Sequence, residues 1–447
     1  MQSSVQSSLL NKILLFLGLA ACMASFGCQG VSSGGTSTST TTTSTGSAGR
    51  INHIVFMFQE NRSFDTYLGK LNDYRASQGV AQNVDGLPAN ASNPSFLGTT
   101  QVAAFKLQTQ CIENMSPSWN ESHVQRNRQN PTSATATMDG FVFTAAKFAQ
   151  DSGFHDTMGL RTMGYYDASV LPYYYFMATQ FATSDRWFSP VMARTQPNRV
   201  FSFAATTAGH AYEPTAPLAV KTIFHLLQDA NVSWKVYEVD ANSTTMNLFQ
   251  PFTTQHPANF VPISQYFADL QSGTLPSVAF IEAGQLSGTD EHPDNSTQVG
   301  VAFAASIINA LMTSSAWKDS AFILSYDEGG GGYDHVPPAA AVSPDGIKPV
   351  DLQPGDIAGD FTFTGFRVGT LVISPFSRKN FVSHTVMDHT AILKFIETRF
   401  GLSSLTQRDA AQPDMSEFFD LQNPPWMTPP TPPAQPTNMP CYFDHLP

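Results

Sequence analysis

Residues 53–69 of this 447-residue chain, HIVFMFQENRSFDTYLG, run apolar and then turn into Glu60-Asn61-Arg62. Residues 320–335, SAFILSYDEGGGGYDH, do the same: apolar positions 321–326 give way to Asp327-Glu328 and four glycines, which let the backbone turn sharply or approach a ligand. Brought together, such carboxylates repel one another and resist ionising. A divalent ion removes the conflict. A donor set made only of oxygen, from Glu60, Asn61, Asp327 and Glu328, favours a hard ion such as Ca²⁺, Mg²⁺ or Mn²⁺. The structural alternative is that Glu60 caps the following helix and Asp327-Glu328 is an exposed turn. Residues 194–209, RTQPNRVFSFAATTAG, read as a helix entered through Pro197 in its first turn, with Thr195 just before it. The Thr195 hydroxyl is then either an N-cap or a nucleophile. In the second case the ion stabilises its alkoxide, and its phosphorylated form rests on the positive helix end.

These residues need elements to hold them. Apolar runs at 51–58, 234–239, 277–281, 321–326 and 370–373 have the length of buried strands, and helical periods occupy 220–230, 299–316 and 388–400, the last closed by Gly401. Strands apolar on both sides and separated by helices predict an α/β fold, a three-layer α/β/α sandwich around a mainly parallel sheet. Ligands of such sheets bind beyond the carboxyl ends of the strands, which is where Glu60-Asn61 and Asp327-Glu328 fall. Residues 73–130 are polar, Asn-rich and poorly periodic, and read as long excursions above the sheet.

The N-terminus reads as an export signal: Lys12, an apolar stretch at 13–21 too short to span a membrane, then small residues. Leu19-Ala20-Ala21-Cys22 resembles the lipobox of bacterial lipoproteins, with Cys28 as an alternative cut and a plain secretory signal as the simpler reading. A lipid on Cys22 would tie the protein to a membrane. The segments are a signal at 1–28, a Ser/Thr/Gly tether at 29–49, a catalytic domain at 50–410 and a Pro-rich tail at 411–447. An extracytoplasmic location follows, in which Cys111 and Cys441 are either a disulfide or two buried thiols. Charged residues make up only 13%, net charge is −12 and no basic run exists to track phosphates, which excludes nucleic acid as a partner.

HIVFMFQENRSFDTYLG, TQPNR, DEGGGGYDHVPP and RVGTLVISPFSR with DHTAILKFIETRFG together resemble the bacterial phosphoesterase family that contains the haemolytic and non-haemolytic phospholipases C and periplasmic acid phosphatases. The resemblance covers nearly all of 52–401. It implies an alkaline-phosphatase-like fold, one divalent metal on Glu60, Asn61, Asp327 and Glu328, and Thr195 as nucleophile and further ligand. Asn198 of the TQPNR motif and His335 of DHVPP are placed by it against the substrate, His335 alternatively behind a ligand.

His292 matches a family Glu-His-Pro that reaches the phosphate or leaving group. His123 matches the second His of a family pattern ahead of Met138-Asp139-Gly140-Phe141, with Pro117 in place of the first. His389 is expected to help start its helix. The implied reaction is hydrolysis of a phosphate ester of the phospholipid kind, as a phosphodiester through a phosphothreonine. Phosphomonoester hydrolysis and a non-catalytic surface lipoprotein are the alternatives, and the Cys/Ser-x-Pro-x-Arg signature of sulfatases is absent. The larger phospholipases carry further C-terminal domains and this chain ends soon after Gly401, which weighs against tight membrane engagement. MGYYDASVLPYYYF is either core or the lining of an apolar or choline-binding pocket.

Overall fold

A strand with every side chain buried needs cover on both faces, and the apolar runs of this chain are of that kind. The computed structural model describes residues 47–241 and 244–446. The expected signal, Cys22, Cys28 and most of the tether lie outside the described residues. The central sheet takes β1 (His53–Gln59), β2 (Ala182–Ser184), β3 (Trp234–Glu238), β4 (Phe260–Pro262), β5 (Val278–Glu282), β6 (Ser320–Tyr326), β7 (Thr370–Ile373) and β8 (Phe381–Ser383). Their order is β8-β2-β7-β6-β1-β5-β3-β4. Neighbours from β6 through β4 are parallel, and β7 runs antiparallel to β6 and β2. The mainly parallel sheet expected from the sequence is present, its long strands within a residue or two of their expected limits. The three-residue β2, β4 and β8 go unsignalled because they are too short to show a period.

Helices that cover the sheet or carry the site are α1 (Trp119–Arg126), α2 (Pro172–Gln180), α3 (Thr195–Ala204), α4 (Ile223–Asp229), α5 (Ile263–Ser272), α6 (Thr297–Thr313) and α7 (Thr390–Phe400). Side chains alternate across a sheet, so each face can be followed separately. On one face Phe203 meets Phe280 at 4.9 Å between ring centroids, Phe224 meets Phe56 at 6.4 Å and His389 meets Phe58 at 4.6 Å, which brings α3, α4 and the start of α7 onto it. On the other, Tyr266 packs on Tyr237 at 5.4 Å, Gln59 Nε2 reaches Gly300 O, and Tyr174 and Tyr326 share Glu291, which brings in α5, α6 and α2. The result is the three-layer α/β/α sandwich.

The aromatic run is core. Tyr166, Tyr173, Tyr174 and Tyr175 are buried, and the Tyr174 and Tyr175 hydroxyls donate to Glu291 Oε1 and Tyr166 O, so they line no choline pocket. The excursion over 73–130 reaches the site end of the sheet: a Cβ on Gly331 would lie 3.3 Å from Gln125 Nε2 of α1. The Pro-rich tail runs across the body. A Cys111–Cys441 disulfide joins them, Gln110 N donates to Pro440 O at 2.9 Å, and Trp317 Nε1 donates to Trp426 O at 2.8 Å. Among the described residues no helix is long and apolar enough to cross a membrane.

Gly401, at φ 66°, ends α7 in the left-handed region that favours glycine. One turn earlier, Glu397 is buried, accepts from Ser404 Oγ at 2.9 Å and faces Asp409, whose oxygens already accept from Leu405 N and Thr406 N. Burial and the Asp409 carboxylate push Glu397 up from 4.5 to about 9. The folded chain thus keeps a proton that the unfolded chain loses above 4.5, and this contribution to stability falls as pH rises from 4.5 toward 9. Glu397→Gln, a neutral isostere, should raise the thermal midpoint at pH 8 and leave it unchanged at pH 4, as read by calorimetry at both values.

Candidate functional site

Register decides which residues meet. Phe58 pairs with Ser325 on one side and with Glu282 on the other, and Gln59 pairs with Tyr326. The carboxyl ends of β6, β1 and β5 are therefore nearly flush, and Asp327-Glu328, Glu60-Asn61 and Glu282 leave the sheet side by side. The turns lock together: Asn61 N donates to Asp327 Oδ1 at 3.1 Å, Glu328 N to the same oxygen at 2.8 Å, and Gly330 N to Glu328 Oε2 at 2.6 Å. Gly330 has φ 65°, and a Cβ there would lie 2.2 Å from Asn61 O, so only glycine permits this approach. Asn61 itself is left-handed at φ 63°, a strained conformation of the sort that gathers at functional sites.

Thr195 is the first residue of α3, and its Oγ1 donates to Glu60 Oε2 at 3.1 Å. It is not the N-cap. That position belongs to Arg194, which makes no side-chain cap bond, so the Thr195 hydroxyl is free of helix duty. The N–H groups of Thr195 and Gln196 have no acceptor within the helix and make its start electropositive. One turn on, the buried Arg199 pairs with Glu60 Oε1 at 2.7 Å and with Glu282 Oε1, while its Nε stands 3.5 Å from Asp327 Oδ2. His292 Nε2 is 3.5 Å from Glu60 Oε2, and its Nδ1 is held 2.7 Å from Asp290 Oδ2. Arg194, Thr195, Arg199, Glu282 and His292 border a cleft of about 170 Å³.

The charge balance is the telling feature. Glu60, Glu282, Asp290, Asp327 and Glu328 converge on the Arg199 guanidinium and the His292 ring. Burial and the Glu60 charge raise Asp327 well above the carboxylate range, and burial with Glu60 pushes Glu328 up to about 8. Burial alone would lower His292, but its Asp290 hydrogen bond and the Glu60 charge outweigh burial and hold it at about 9. Asp327 Oδ2 is buried and accepts no hydrogen bond.

The Asn61 amide tests whether a cation fits. Its atom facing the carboxylates lies 3.1 Å from Glu60 Oε2, 2.5 Å from Glu328 Oε1 and 3.2 Å from Asp327 Oδ1. As nitrogen it donates to all three, and Asn61 O accepts from His292 Nε2 at 3.1 Å. As oxygen it is a fourth acceptor beside three carboxylate oxygens, which then need either protons, as on Asp327 and Glu328, or a cation between them. Four oxygen donors, three of them carboxylates, with Asp327 Oδ2 left without a hydrogen-bond partner, are the chemistry a hard divalent cation takes.

Other expected site residues stand elsewhere. Asn198 is buried and its amide is fully engaged with the loop before α3: Val191 N donates to its oxygen, and its nitrogen donates to Ala193 O and Arg194 O. It braces the Thr195 loop and is not among the residues that border the cleft. His335 has both ring nitrogens on carboxylates, Asp65 at 2.7 Å and Asp85 at 3.1 Å, and lies off the cleft. Asp65, Asp334 and His335 have the geometry of a metal triad, yet Arg367 fills that role, with Nη2 2.9 Å from Asp65 and Nε 3.1 Å from Asp334.

His123 packs between Trp119 and Gly359 with Nδ1 2.7 Å from Trp119 O and is not part of the cleft wall, while burial lowers its pKa. His389 occupies the N-cap of α7, but Asp388 Oδ1 accepts the Thr390 N–H and the His389 ring faces Ser202 Oγ instead. Arg199, Glu282 and Asp290 escape the sequence reading. Glu282 carried a signal, since VAFIE ends an apolar run in a carboxylate just as FMFQE does.

A sequence model of the Phosphoesterase family matches residues 51–403. Phospholipase C B of Mycobacterium tuberculosis is 30% identical over 427 residues, covering 84% of this chain and 78% of that protein. Non-specific phospholipase C1 of Arabidopsis thaliana is 30% identical over 403 residues, covering 84% and 72%. Among solved structures, a protein in the alkaline phosphatase superfamily from Vibrio parahaemolyticus is distantly similar, with a TM-score of 0.35 at 10% identity, covering 77% of this chain and 78% of that one.

An ion bound only by the folded chain stabilises it by about 2.7 kcal/mol at a hundredfold excess over its dissociation constant. Mg²⁺, Ca²⁺ or Mn²⁺ added to chelated protein should therefore raise its melting temperature. Asp327→Asn should abolish that response and, by removing one repelling carboxylate, melt above the chelated wild type. Scanning calorimetry with chelator and with each ion reads both effects.

Proposed function

The chain belongs to the Phosphoesterase family and is a hydrolase of phosphoester bonds, and from that premise we propose a metal-dependent enzyme of phospholipase C type, cleaving a phosphodiester through a phosphothreonine on Thr195. The observation that carries the reading is the Thr195 hydroxyl, set at the positive start of α3 and 3.1 Å from Glu60 Oε2, beside the four-oxygen set. An ion held by Glu60, Asn61, Asp327 and Glu328 would supply Lewis-acid withdrawal of charge from a phosphoryl oxygen and a more acidic Thr195 hydroxyl.

The chain's own groups account for the proton movements. Glu60 Oε2 accepts the Thr195 proton as Oγ1 attacks phosphorus in line with the leaving oxygen. The bond to that oxygen breaks, and His292 Nε2, its ring oriented by Asp290, gives it a proton. The first-turn N–H groups of α3 lie toward the negative charge on the transferred group. In the second half, His292 takes a proton from water as the water oxygen attacks phosphorus, the bond from phosphorus to Thr195 Oγ1 breaks, and that oxygen leaves with the proton held on Glu60 Oε2.

A diester fits this surrounding better than a monoester. Glu60, Glu282 and Asp290 line the cleft, with Asp327 and Glu328 buried next to Glu60, and Arg199 is already committed to Glu60 and Glu282. A monoester dianion adds more negative charge to that set than a diester monoanion does. The phospholipase C names of the relatives support the same class. The Cys111–Cys441 disulfide and the signal-like N-terminus support an extracytoplasmic location, with lipidation of Cys22 as the anchor.

Thr195→Val keeps the side-chain shape and should abolish turnover without lowering the melting temperature, while Thr195→Ser should retain activity. Near-normal turnover by folded Thr195→Val would remove the nucleophile. Wild type should hydrolyse a chromogenic phosphorylcholine diester and phosphatidylcholine faster than a chromogenic phosphomonoester, and chelator should stop it. His292→Asn should slow the first release of alkyl leaving groups by roughly 10²–10⁴-fold and leave the first, burst-phase release of nitrophenol, whose leaving group needs no proton, unchanged, while later turnovers slow for both. Rapid-mixing burst kinetics on matched substrates read the difference.

A further inference from the structure

After β5 the chain leaves the cleft and returns to it. Ala283 and Gln285 line the cleft, and so do Asp290 and His292. At the tip of the turn between them, Leu286 is 90% exposed, the most exposed of the large apolar side chains among the described residues. Lone apolar residues on a surface need no explanation in general. This one is held out by an ordered turn at the rim of the site. Leu286 N donates to Asp240 Oδ2 at 2.7 Å, Gly288 N to Gln285 O at 3.1 Å, and Thr289 N to Gly284 O at 2.9 Å. Gly288, at φ 69°, closes the turn in the region glycine prefers. The turn cannot easily fold its leucine back onto the body.

The geometry points to Leu286 as an interfacial contact that enters the apolar layer of an aggregated lipid while the diester bond reaches the cleft beside it. This rests on the phospholipase reading above. The lipid surface it fits is zwitterionic, because a chain of net charge −12 is repelled by an anionic one. A single leucine gives a contact that is weak and reversible.

The test uses the full chain with divalent ion, phosphatidylcholine vesicles and a soluble chromogenic phosphorylcholine diester. Losing one buried leucine should weaken vesicle binding by Leu286→Ser roughly tenfold, with vesicle turnover falling by the same factor. Turnover of the soluble diester should not change, and Leu286→Trp should restore binding. Wild-type vesicle binding and turnover by Leu286→Ser would overturn the inference. A wild type that cleaves the soluble diester yet neither binds nor cleaves vesicles would also overturn it, leaving the phosphodiesterase reading in place. A wild type that binds vesicles through Leu286 but cleaves neither ester would support the contact and sink the phospholipase reading.

Discussion

Crowded negative charge at one edge of the sheet is the constraint around which this protein is arranged. Flush strand ends place Glu60, Glu282 and Asp327 within reach of a single guanidinium. Arg199 cannot serve them all: Asp327 Oδ2 stays without a hydrogen bond, and Glu328 lies beyond its pairs. The remaining imbalance is what a divalent ion would relieve. It also explains why the local backbone is costly, with Asn61 left-handed and Gly330 pressed against it, since looser turns would let the carboxylates drift apart.

A second acidic cluster in the same molecule shows the other outcome. Asp65 and Asp334 meet Arg367 fully buried, with His335 at the side, and every one of these groups finds a partner. There the cation is part of the chain and the cluster clamps loops together. At the cleft the cationic side chains fall short of the carboxylates and leave a place for a ligand. Similar residue types thus serve structure in one place and, in the proposed function, chemistry in the other, depending on whether the arginine completes the charge balance.

The sheet was legible because its long strands are uniformly apolar, and the positions just past them were legible as soon as the strands were. Glu60, Asn61, Asp327 and Glu328 come together as their strand ends imply. Thr195 stands where its motif put it, though as the first helical residue and not the cap. What the sequence hides is side-chain direction. Asn198, His123 and His335 match motif positions, yet packing turns them toward backbone, Trp119 and Asp65. Arg199 looks like any polar residue on a helix until the sheet brings it under Glu60 and Glu282. A leucine in a Gly-Ser turn signals nothing until its exposure is seen.

The divalent ion is the point on which the reading turns. Elemental mass spectrometry of the dialysed, active protein should find one equivalent of Ca, Mg or Mn per chain, lost together with activity when Asn61 is replaced by Ala. Full activity in a protein free of divalent ions would contradict it.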